Sequence, residues 1–199
     1  MEFNLRLAEE TENLRLEPEC VQSGVDAILR DSAKGLYFVA EVEGTVVGQV
    51  MITYEWSDWR NGNLWWLQSV YVKPEFRGQG VFRRLFVHLQ KLAFAKRDVS
   101  GLRLYMHGDN TRARDSYEKL GMKRTRYEVF ELELASNGKP HGGSCGREQR
   151  AMNNKGTKRR EIAAKSAGGR GKDKSARAEA LKHFFTELGV RTIFSKRSV

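Results

Sequence analysis

The densest set of ligand-binding residue types in this chain is the run Val70-Tyr71-Val72-Lys73-Pro74-Glu75-Phe76-Arg77-Gly78-Gln79-Gly80-Val81-Phe82. Leu67, Val70 and Val72 read as a strand that Pro74 ends, because proline cannot donate to a ladder. From Val81 the period changes, and Val81, Phe82, Leu85, Phe86, Leu89, Leu92 and Ala93 fall on one helical face. Between strand and helix lies Arg77-Gly78-Gln79-Gly80. The glycines let the backbone curl, and the unpaired N–H groups of the first helical turn point at whatever sits there. The spacing predicts an anion site, with a pyrophosphate as the expected ligand and Arg77 adding charge-assisted hydrogen bonds. An ordinary tight turn beside a solvated arginine would leave the same letters.

Other reactive residue types are sparse. Cys20 and Cys145 show neither metal-ligand spacing nor a nucleophile's setting, and they read as free thiols rather than a disulfide. His88 and His107 have no ligand-spaced companions, so no metal is expected. Trp56, Trp59, Trp65 and Trp66 cluster in one short region. They read as an acceptor wall, as a contact between two copies, or as core with an exposed rim.

The elements that must position the turn can be taken in order. Residues 1–16 carry scattered leucines and read as a helix. Pro18 starts a second helix, as proline suits a first helical turn, and Cys20, Val21, Val25, Ile28 and Leu29 give it an apolar face. Residues 36–42 and 45–54 flank Glu43-Gly44 and read as an antiparallel hairpin. A strand over 64–72, the organising turn and a helix to about residue 97 come next. A short strand at 102–106 precedes Asn110, a good helix cap, for a helix ended by Gly121. Residues 126–134 alternate in hydrophobicity and predict a last strand. Successive strands followed by β-α-β-α-β indicate a mixed α/β sheet with helices on its faces, over about 135 residues.

The formal charge of +10 divides unevenly along the 199 residues. Residues 1–135 carry 19 Lys and Arg against 20 Asp and Glu, while residues 136–199 carry 16 against 5. The first part reads as one near-neutral domain. The second reads as a basic, Gly-, Lys- and Arg-rich tail, expected to be mostly disordered because it has too little apolar surface to offset ordering entropy. A short helix over 176–188 is the exception. Lys155, Lys158, Arg159 and Arg160 read as a nuclear-localisation or nucleic-acid contact, or as a solvated extension without a role. With no bilayer-spanning run and no secretory signal, a cytoplasmic protein is the expectation, nuclear if the basic cluster is read.

The two ordered motifs resemble those of GNAT-type N-acetyltransferases. Arg77-Gly78-Gln79-Gly80 after Val70-Tyr71-Val72 is similar to that family's acetyl-CoA motif, Gln/Arg-x-x-Gly-x-Gly/Ala, with Phe82 where the pattern has glycine or alanine. Asn110 through Ala113, then Tyr117 to Gly121 and Met122, resembles its second motif. The resemblance covers roughly residues 17–134, and the family's usual first strand has no counterpart ahead of the N-terminal helix. It implies that backbone N–H groups from Gln79 through Val81 to Phe82, with Arg77, Gly78 and Gly80, hold the pyrophosphate. It further implies that the backbone of Val70, Tyr71 and Val72 pairs with the pantetheine arm, and that Asn110 also touches it. Tyr117 would protonate the leaving CoA thiolate, and acetyl would pass directly to a primary amine in a ternary complex. An amine with pKa near ~10.4 must first lose a proton. Of the nearby acids Glu41, Glu55 and Asp58, Glu55 is the expected base. The competing expectation is a non-catalytic acyl-CoA-binding or nucleic-acid-binding protein.

Overall fold

The computed structural model describes residues 1–132 and 188–193. Helices α1 (Glu2–Glu12) and α2 (Pro18–Arg30) come first, α1 closed by Asn13 in the left-handed region and α2 opened by its proline. Strands β1 (Leu36–Val42) and β2 (Thr45–Ser57) form the expected hairpin. Glu43 and Gly44 both take positive φ, 49° and 75°, and so provide the turn whose twist matches that of the flanking strands. Strand β3 (Gly62–Val72) runs antiparallel to β2, helix α3 (Val81–Ala95) crosses over, and β4 (Val99–Arg103) pairs parallel to β3. Helix α4 (Thr111–Lys119) follows, and β5 (Gly189–Ile193) completes a sheet of order β4-β3-β2-β1-β5.

Strand alternation splits the core between the two faces of the sheet. Adjacent Tyr37 and Phe38 mark the division: the Tyr37 hydroxyl accepts a hydrogen bond from Asn4 of α1 at 3.0 Å, whereas the Phe38 ring meets His88 of α3 at 5.9 Å. On the α3 face Ala40, Val50, Ile52, Trp65 and Leu67 pack with Val81, Leu85 and Leu89. On the other face Phe3 of α1 stacks on Tyr71 at 5.0 Å.

Three expectations need correction. Residues 126–132 form no strand, and Tyr127, Val129, Phe130 and Leu132 are exposed there. Alternation only marks a segment that suits a ladder; it does not bring the segment to an edge, and residues 126–132 pair with no described strand. Conversely, residues 188–193 fall within the stretch expected as tail, yet Leu188 is buried and β5 pairs antiparallel with the outer edge of β1. Arg84 of α3 donates to the Leu188 carbonyl at 3.1 Å, and Arg191 pairs with Glu41 at 2.6 Å. Five residues pairing with a strand 150 positions away leave no local signature. Cys20 is disulfide-bonded, against the free-thiol reading. The helix expected over 176–188 falls outside them except for Leu188, as do Lys155, Lys158, Arg159 and Arg160. No described helix is long and apolar enough to cross a membrane.

Candidate active site

The site begins with an irregularity in β3. Gln68 pairs with Met51 and Tyr71 with Gln49, so Ser69 and Val70 together face Val50. This is a β-bulge, and Ser69 adopts φ 48° to make it. The extra residue resets the alternation, so Tyr71 reaches Phe3 while Val70 and Val72 pack toward the α3 core. Gln49, the one buried polar residue among those described, is explained by the same feature. Its Nε2 donates to the Ser69 carbonyl at 3.1 Å and to Asn4 Oδ1 at 2.5 Å. A half-buried carbonyl at the bulge thereby keeps a donor.

Pairing between β3 and β4 stops at Trp66 and Arg103. Beyond it, Leu67–Val72 retains β2 on one side and has no described strand on the other. The chain after β4 instead diverges through Tyr105 and Met106 to α4. A cleft of about 1470 Å³ opens between them, lined along this edge by Leu67, Val70, Tyr71 and Val72. Backbone groups at an unpaired edge accept an extended partner as a strand would.

At the end of β3 the glycine turn takes the expected form. Gly78 and Gly80 sit at φ 75° and 80°, and Gly80 is the N-cap of α3. A Cβ on Gly78 would meet nothing within 4 Å, so the left-handed backbone rather than crowding calls for glycine. Gly80 has no side chain to cap the helix, and the first helical bond runs from Arg84 N–H to the Gly80 carbonyl. The N–H groups of Val81, Phe82 and Arg83 therefore lack intrahelical acceptors, at the positive end of a 15-residue helix. Arg83, Arg112 and Lys119 also line the cleft.

Arg77 also lines the cleft, with partners that its sequence setting does not reveal. Its Nε donates to the Val72 carbonyl at 2.7 Å, its Nη2 pairs with Glu10 of α1 at 2.6 Å, and the guanidinium lies over the Tyr71 ring at 5.3 Å. The Tyr71 hydroxyl donates to the other Glu10 oxygen at 2.7 Å. Burial alone would push the Glu10 carboxyl up, but the hydrogen bonds from Arg77 and Tyr71 and the charges of Arg77 and Arg6 outweigh it. The carboxyl is held below its ordinary range. Glu10 thus clasps α1 to the glycine turn. Sequence reasoning missed it, since a glutamate among α1's many charges, 67 positions from its partner, gives no signal.

On α4, Asn110 is the N-cap, its Oδ1 accepting from Ala113 N–H at 3.0 Å. Tyr117 lies two turns on, with its ring edge-on to Phe82 at 5.5 Å and 77°. Burial pushes the Tyr117 phenol above its ordinary value. Phe82, the bulky residue in a position where the motif has a small one, therefore fills the space between α3 and α4 and also contacts Phe86 at 6.1 Å.

The structure brings Val70, Tyr71, Val72, Arg77, Gly78, Gly80, Val81, Phe82, Asn110 and Tyr117 to one cleft. Gln79 does not line it; its amide donates to the Glu75 carbonyl at 2.8 Å, bracing the turn. Glu55 is also not brought there. It accepts from Arg103 at 3.1 Å and from the Trp66 indole N–H, with Arg103 lying over the Trp66 ring at 5.3 Å. Nor do the tryptophans wall the cleft: Trp65 is buried in the core, Trp66 serves the Glu55 pair, and Trp56 and Trp59 are exposed.

With the geometry in place, comparison with known proteins is direct. The model of the acetyltransferase (GNAT) family matches residues 5–122. A crystal structure of a possible acetyltransferase from Clostridium difficile 630 is 43% identical, covering 68% of this chain and 89% of that one, with a TM-score of 0.64. The thialysine N-epsilon-acetyltransferase of Bos taurus is 38% identical over 76 residues, 38% of this chain and 44% of that protein, so the chain spans less than half the length of this curated relative. The fold is also that of the enzyme AAC(6')-Iy in complex with a bisubstrate analogue of CoA, at 19% identity and a TM-score of 0.51, over 59% of this chain and 81% of that one. The chain belongs to the GNAT acetyltransferase family.

Proposed function

We propose that the protein is an acetyl-CoA-dependent N-acetyltransferase that passes acetyl directly to a primary amine in a ternary complex. The observation that carries this reading is the convergence of three features on one cleft. These are the unpaired edge of β3, the donor-rich N-terminus of α3, and the Tyr117 phenol. The pantetheine arm of acetyl-CoA would lie along Leu67–Val72 as an added strand, with its pyrophosphate on the N–H groups of Val81, Phe82 and Arg83. Gly78 and Gly80 supply the backbone curvature that this approach needs. Arg77 serves indirectly, fixing the turn through Val72 and Glu10.

The amine nitrogen attacks the thioester carbonyl, and the oxyanion that forms is met by backbone N–H. The C–S bond then breaks. A thiolate with pKa near ~8.5 leaves more readily when a donor of higher pKa shares its charge, and Tyr117 supplies that proton, to be replaced from solvent. Because Glu55 is engaged by Arg103 and Trp66, we assign it no part as base. The acceptor reacts as the free amine, its second proton passing to water at the cleft mouth.

Acetyl-CoA at 100 times its Kd raises the stability of a protein that binds it by about 2.7 kcal/mol, read as a rise in Tm. Release of CoA thiol on adding an amine then tests transfer. Protection without CoA release for any primary amine would instead mark a non-catalytic acyl-CoA-binding protein.

A further inference from the structure

We infer that the acceptor is a primary amine carried on an apolar body, an alkyl- or arylalkylamine, rather than an aminosugar or a polar amino acid. This rests on the acetyl-transfer reading above and names the substrate class of the same cleft. At about 1470 Å³ the cleft exceeds the usual ~300–1,000 Å³ of a single small-molecule site, and its lining divides into two arms. One arm carries the α3 N-terminus, Arg83, Arg112 and Lys119, and suits phosphates. The other crosses β3 and runs between α1 and α2, where Leu7, Leu14, Leu16, Val21, Val25 and Ile28 line it over Tyr37 and Met51. The unpaired β3 edge, where the thioester lies, forms the border of both.

The second arm is apolar in a stricter sense than its residue types indicate, because most of its polar side chains make hydrogen bonds within the protein. Asn4 bonds Tyr37 and Gln49. Glu10 is held by Tyr71 and Arg77. Thr11 donates to the Leu7 carbonyl at 2.7 Å. Gln68 donates to Thr53 at 2.9 Å. Glu12, at the exposed end of α1, belongs to the rim. Hydroxyls of an aminosugar or the carboxylate of an amino acid would lose water against this apolar wall and gain few partners in return. Leu7, Leu14, Leu16, Val25 and Ile28 are only half-buried, so an apolar body laid against them removes surface from water on both sides.

The test is a series of linear alkylamines of nearly constant basicity, from propylamine to octylamine, with benzylamine, lysine and glucosamine. It is run on the full chain at saturating acetyl-CoA. The expected result is a rise in kcat/KM of about fourfold per methylene until the arm is filled, with hexylamine at least tenfold above lysine and glucosamine. Leu14→Asp and, separately, Val25→Asp are expected to flatten the series while leaving thermal protection by acetyl-CoA unchanged. A flat series in the unmodified chain, or faster turnover of lysine or glucosamine, overturns the inference and leaves the cofactor reading standing. Variants that lower Tm without changing the slope also overturn it, because the arm would then be filled by packing within the protein. Absence of protection by acetyl-CoA removes the cofactor reading, and this inference with it.

Discussion

Replacing Tyr117 with phenylalanine isolates the proposed proton donor, because the structure keeps the rest of the residue's work in the ring. The edge-on contact with Phe82 at 5.5 Å and the burial of the ring survive the change. Only the hydroxyl is lost, so the fold should lose no more than about 1 kcal/mol. Removing a positioned general acid lowers turnover by about 10²- to 10⁴-fold, or roughly 2.7 to 5.4 kcal/mol of barrier at 1.36 kcal/mol per decade. The pH profile gives an independent reading. Burial raises the phenol above its ordinary value of 10.0, so the donor stays mostly protonated below pH 10 while the free-amine fraction of the acceptor grows. Wild-type kcat/KM should therefore rise with pH and show no descending limb below about pH 10. The assay is CoA thiol release from pH 7 to 10 with saturating acetyl-CoA, alongside thermal denaturation of both proteins. A variant whose kcat stays within threefold of wild type at pH 8, with unchanged Tm, would refute the assignment.

Three further outcomes follow from particular contacts. Gly78→Ala places a side chain at φ 75° with open space around it, so its cost is purely conformational, about 1–2 kcal/mol by denaturant titration, with weaker protection by acetyl-CoA. Glu10→Gln removes the clasp to Arg77. The carboxyl is depressed in the folded state, so its contribution is present above the ordinary carboxylate range and lost as pH falls through the lower folded value. The Tm gap between wild type and variant should accordingly close on acidification from pH 7 to 3, and a gap that stays constant would show that the clasp carries no charge-dependent stability. Deleting residues 188–199 strips β5 and the buried Leu188 from the edge of β1. Losing Leu188 alone should cost about 1.5–3 kcal/mol, and sedimentation velocity should reveal self-association through the bared edge.

What the sequence by itself determined is local. The Glu43-Gly44 hairpin, the proline start of α2, the strand–turn–helix around Arg77 to Phe82 and the Asn110 cap all depend on residues within a few positions of one another. Their backbone conformations follow from glycine's tolerance of positive φ, proline's missing N–H and a side-chain oxygen placed to accept at a helix start. The tertiary structure decided everything that requires two distant segments to meet. It set Gln49 under the Ser69 carbonyl, fixing the bulge, and ended β4 early enough to leave the β3 edge open. It turned Arg77 toward Glu10, gave Glu55 to Arg103 and Trp66 outside the cleft, and put Phe82 against Tyr117. Residues 126–132 and 189–193 show the limit from both sides: the alternating stretch joins no described strand, while five residues far along the chain pair with β1. Hydrogen-bond and packing partners across such separations are chosen by which surfaces the fold leaves unpaired, a quantity that no window of sequence contains.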